Sequence, residues 1–178
     1  VRLLNLSMGS TQHSFELMLS SFILGLALGG LVVRYWAQRP NFDVVRGAAF
    51  AQAAMGVATL VCLILYTYSF SLVEWVMAAV TRSDAGYKIF LSATAFASLL
   101  TVFPAAFFAG LPLPLLTAAL IRSGSGSEKI GRIYAANTLG AILGVFVMVH
   151  LLVPAIGVRL SIILAALVDG FLGAYLYY

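Results

Sequence analysis

Asp169, Glu16, Gln52, Asn137, His13 and His150 are the positions where this sequence could do chemistry, because each stands in or beside a hydrophobic run. Asp169 lies in the middle of the last run. A charge there costs about 2.5–3.5 kcal/mol on insertion scales, so an acid at that depth has a purpose. It could relay protons, pair with a cation or bind an amine; the competing role is a protonated side chain hydrogen-bonded to a neighbouring helix. Glu16 is the second acid close to lipid. Asn137, with Thr138 and Tyr134, and Gln52 could line a polar site. The alternative is cross-helix hydrogen bonding, which contributes about 0.6–2 kcal/mol per contact.

His13 precedes the first apolar run and His150 lies near the end of the fourth. Two histidines on different helices at similar depth can hold a b-type haem by its axial positions. Haem b is therefore the cofactor to consider, against a plainer role for each histidine at the interface or in a helix–helix hydrogen bond. The single cysteine, Cys62, excludes a disulfide within the chain. No Ser/His/Asp, Cys-x-x-Cys or His-Glu-x-x-His arrangement occurs, so no catalytic residue and no metal cluster can be named. Ser123-Gly124-Ser125-Gly126-Ser127-Glu128-Lys129 lacks the Gly-x-x-x-x-Gly-Lys-Ser/Thr spacing of a phosphate loop and reads as a flexible linker.

The elements that must position these residues follow from composition. Of 178 residues, 62% are hydrophobic and 9% charged, against about 45–50% and about 25% in soluble domains. Mean hydropathy is +1.05. The expected fold is an all-α polytopic transmembrane bundle, a single domain over residues 1–178, with the lipid bilayer as its first partner. The net charge of +4 orients spans rather than attracting nucleic acid, for which no basic stripe with interleaved aromatics exists. Val1 in place of Met, and a last run that stops at Tyr178, read as the ends of a fragment.

Five spans are expected, near residues 15–33, 47–66, 89–121, 133–153 and 161–178, with an interfacial helix over 69–80. The 89–121 run is too long for one straight crossing and too short for two. Pro104 and Pro112–Pro114 are expected to break it. Loops 34–46 and 122–132 carry the excess of Arg and Lys, so both should be cytoplasmic. Three small-residue faces offer close helix packing: Ser21, Gly25 and Gly29; Ala136, Gly140 and Gly144; and Ala166, Gly170 and Ala174. The rest of the bundle is expected to pack around the second.

Gly131-Arg132-Ile133-Tyr134-Ala135-Ala136-Asn137-Thr138-Leu139-Gly140-Ala141-Ile142-Leu143-Gly144, followed by Pro154-Ala155-Ile156-Gly157, resembles the membrane half of the fused spermidine synthase-like membrane proteins. So do Arg2-Leu3-Leu4…Gly9-Ser10-Thr11 and the Gly25–Gly29 repeat. The resemblance implies a further hydrophobic segment before Arg2 and, in many members, a soluble aminopropyltransferase-like domain after the membrane half, whose glycine-rich acidic signature is absent here. It also implies a likeness to part of a major-facilitator transporter, and a bacterial inner membrane is the expected location. Gln12-His13 and His150 depart from the family pattern.

Three functions fit these readings. The first is a structural or assembly subunit packed with other membrane subunits, without catalytic chemistry in this chain. The second is a transporter of a small cation such as a polyamine, its site formed by the proline-broken span and Asp169. The third is an electron-transfer subunit using His13 and His150 with haem or a quinone.

Overall fold

A chain this apolar must satisfy its backbone polar groups internally, and helices do so within one segment. The computed structural model describes residues 12–39, 41–79, 84–124 and 126–178, and no strand occurs among them. The helices are α1 (Gln12–Ala37), α2 (Val44–Ala79), α3 (Asp84–Ala109), α4 (Pro112–Arg122), α5 (Ser127–Val147) and α6 (Val153–Tyr177), with a π-helical turn at Met148–Leu152 between the last two. Among the described residues, four stretches are long and apolar enough to cross a membrane: Phe15–Ala37, Val44–Val76, Lys88–Arg122 and Ser127–Tyr177. The chain is an all-α integral membrane protein.

The element boundaries differ from the sequence expectation in three places. First, α2 continues through 69–79 as one helix of 36 residues, not as a span plus a separate interfacial helix. No Gly or Pro occurs after Gly56 in this helix, so nothing stops its ladder. Secondly, the long third run breaks once, at Gly110-Leu111, and Pro104 is carried inside α3. Pro112 and Pro114 cannot donate to the carbonyls four residues back. Phe108 O instead accepts from Leu111 N at 3.2 Å, and Pro112 sits in the first turn of the new helix, where its missing donor costs nothing.

Thirdly, Ser127–Tyr177 is helical almost throughout instead of two helices joined by a loop. At about 1.5 Å per residue its 51 residues would make a rod of about 75 Å, far beyond a hydrocarbon core of about 30 Å. The chain turns at Gly157, whose φ of 80° and ψ of 166° lie in a region open essentially to glycine alone. Just before it, the π turn shifts the ladder ahead of Pro154, with Val153 N donating to Met148 O.

Packing runs α1 on α3, α3 on α2, and α2 on α4 and α6. Contacts of 46 with 177, 52 with 169 and 56 with 166 show that α2 and α6 are antiparallel. Gly157 is therefore at the end of the bundle opposite Arg46. Since Ser127 follows closely on Arg122, α5 and the π turn run from one end of the bundle to the other, so the stretch Ser127–Tyr177 goes out and back, and the described residues make about five passes. The main buried cluster joins Val33, Val44, Ala48, Ala51, Leu111 and Leu115, so the α3–α4 break is filled by side chains.

One arginine ties the α1–α2 loop to α4. The Arg122 guanidinium donates to Phe42 O at 2.8 Å, to Arg39 O at 3.1 Å and also to Ala37 O. The two basic loops thus share one end of the bundle. Arg46 adds an ion pair to Asp43 at 3.4 Å and lies over the Tyr177 ring.

Candidate functional site

Gln52 and Asp169, two of the sequence-selected polar residues, are brought together. Gln52 on α2 donates from Nε2 to Oδ1 of Asp169 on α6 at 2.7 Å. The contact depends on small residues that let the two backbones approach. A side chain at Gly56 would stand 2.5 Å from Ala166 O and 3.4 Å from Asp169 Cβ. One at Gly173 would stand 2.6 Å from Ala53 N. Ala166 is buried in the same seam. Asp169 is half-buried, so this is a polar lock along a helix interface with one acceptor and one donor.

Asp169, Gln52 and Ala166 are among the residues that hydropathy and spacing single out; Gly56 and Gly173 are not. A Cβ at Gly170 would meet nothing within 4 Å, and Ala174 is exposed. The packing face is rotated by one residue, along 166, 169 and 173 rather than 166, 170 and 174. The spacing of 3 and 4 that marks a helix face was present in Ala166, Asp169 and Gly173, but an acid in the middle position disguised it.

The Ser21/Gly25/Gly29 face lies against α3. Ser21 is buried and bonds back to Leu17 O at 2.8 Å. Gly25 meets Ala106, and Gly29 lies against the Phe107 carbonyl. Gly110, at the break, lies against Leu26, where a side chain would stand 2.5 Å from its carbonyl oxygen. The break is therefore a close-packed corner. α6 packs principally on α2, where Asp169 meets Gln52.

The second face lies differently. Nothing stands within 4 Å of a side chain placed at Gly140 or Gly144, and Ala136 is exposed. The bundle does not pack around α5; only the adjoining α4 and π turn touch it substantially. Asn137 is exposed on this helix, and Thr138 bonds to its own Tyr134 O at 2.9 Å.

His150 stands in the π turn, exposed, with Nδ1 3.3 Å from Phe146 O and its ring stacked on Phe146 at 4.8 Å. A carbonyl only accepts, so in this contact Nδ1 is the donor. His13 is in the first turn of α1, and its side chain lies outside the described residues. Glu16 is exposed near the same helix start. Among the described residues no cluster of three His, Cys, Asp or Glu could hold a metal. Set against models of protein families, curated proteins and solved structures, the chain matches none of them.

Proposed function

We propose that this chain is an integral membrane module that assembles with further membrane helices through α5, and that its role is structural rather than catalytic. The observation that carries the reading is α5 itself: a 21-residue apolar helix with none of its residues buried and its Ala136/Gly140/Gly144 face bare. Helices pair in lipid by close backbone approach and interhelical hydrogen bonds. Asn137 adds the polar half, since among the described residues no partner is found for its amide. A buried amide gains by finding one. The resemblance of 131–144 to spermidine synthase-like membrane proteins fits a membrane module belonging to a larger protein or complex. In this reading the loops 34–46 and 122–132 face the cytoplasm.

The Gln52–Asp169 bond supports the same choice over transport, because it gives Asp169 a partner inside the chain. The test is the size of the species extracted from membranes in mild detergent. Wild type should elute as an assembly, and Gly140→Ile/Gly144→Ile should elute as the folded monomer. A wild-type monomer, or an assembly indifferent to both substitutions, contradicts the reading.

A further inference from the structure

A groove of about 440 Å³ opens between the end of α4 and the start of α5, lined by Leu120, Lys129, Arg132, Ile133 and Ala136. The α5 residues fall at i, i+3, i+4 and i+7 from Lys129, so they share one face. Their chemistry is graded along the helix: the cations occupy the first two turns, and Ile133 and Ala136 stand deeper. From Lys129 to Ala136 is about 10 Å of helix, comparable to the headgroup layer of about 5–8 Å on each side of the hydrocarbon core. Farther along α5, Leu139 and Leu143 are exposed.

We propose that this groove is a binding site for an anionic phospholipid, with the phosphate on Lys129 and Arg132 and an acyl chain along Leu120, Ile133 and Ala136. Basic pockets between transmembrane helices recognise anionic headgroups, and each basic residue near the surface is worth about fivefold in binding. The neighbouring Arg122 does not line the groove; its guanidinium donates to the carbonyls of Ala37, Arg39 and Phe42. A free phosphate ion would use the cations but not the apolar wall, so the wall selects the lipid. The site shares Ala136 with the face proposed to pair with another helix, so the lipid occupies the first turns of that face beside α4 and the partner helix the turns beyond it, at Gly140 and Gly144.

The test is native mass spectrometry of the full chain released from an equimolar mixture of phosphatidylglycerol and phosphatidylcholine. Phosphatidylglycerol adducts should exceed phosphatidylcholine adducts by about fivefold or more. Lys129→Gln/Arg132→Gln should bring the two close to parity, while Arg159→Gln at the other end of the bundle should change nothing. Ala136→Trp, which fills the apolar wall with the charges intact, should also lower retention. Equal retention of the two lipids by wild type, or a preference that survives the double variant, overturns the proposal. So does displacement by inorganic phosphate at concentrations that leave the acyl contacts untouched, which would mark a free-anion site.

Discussion

Gln52 Nε2 and Asp169 Oδ1, 117 residues apart in the chain, meet at 2.7 Å across the α2–α6 interface. The bond gives the acid of α6 an intramolecular partner, and it fixes the rotational setting of α6 against α2. Its neighbours along the seam are Gly56, Ala166 and Gly173, which bring the backbones close enough for side chains this short to meet.

Loss of Gln52 should therefore cost stability. Gln52→Leu removes the donor and leaves the Asp169 oxygen at an apolar interface. We expect a destabilisation of about 1–2 kcal/mol in detergent unfolding, and a Gln52/Asp169 coupling of about 0.6–1.7 kcal/mol in a double-mutant cycle. Asp169→Asn, which keeps an acceptor oxygen, should remain within about 1 kcal/mol of wild type.

Glycines that look alike in sequence should respond in opposite ways. Gly29→Leu and Gly56→Leu would drive side chains into the Phe107 and Ala166 carbonyls, and overpacking of this kind costs about 1–3 kcal/mol or more. Gly140→Leu and Gly144→Leu meet open space and should leave the melting temperature of the monomer unchanged or slightly raised, since Leu forms helix better than Gly. Fluorescence-detected size exclusion after heating separates the two groups.

That contrast also shows what the sequence could convey. The all-helical membrane fold was legible from hydropathy, because lipid allows few other solutions. The shared end of the two basic loops was legible from Arg39, Arg46, Arg122 and Lys129. Which glycines are covered was not, because Gly25 and Gly140 sit in similar fourfold repeats and differ only in whether another helix arrives there. Nor did periodicity foretell the Gly110 corner, since Pro104 is tolerated within α3 while Pro112 and Pro114 together are not.

Arg122 makes a separable prediction. Its planar fork reaches three carbonyls of the α1–α2 connection, a geometry that Lys cannot reproduce. Arg122→Ala should lower stability by about 1–2 kcal/mol after allowance for its exposure, and Arg122→Lys should recover only part of it. Thermal unfolding in the same detergent reads both.

Gly157 holds the turn between α5 and α6. At φ 80° and ψ 166°, a Cβ costs about 1–3 kcal/mol even though space around it is open. Gly157→Ala should destabilise the protein by that amount, whereas Gly131→Ala, in an ordinary helical setting and equally open space, should not.

The central claim is that α5 meets another membrane helix through one face. Photo-crosslinking in native membranes, with a benzophenone amino acid placed singly along α5, tests it most directly. Positions 136, 140 and 144 should give a discrete protein adduct, while 138 and 142, on the far side of the helix, should give lipid adducts only. Lipid adducts at all five positions, or protein adducts with no preference for one face, would contradict it.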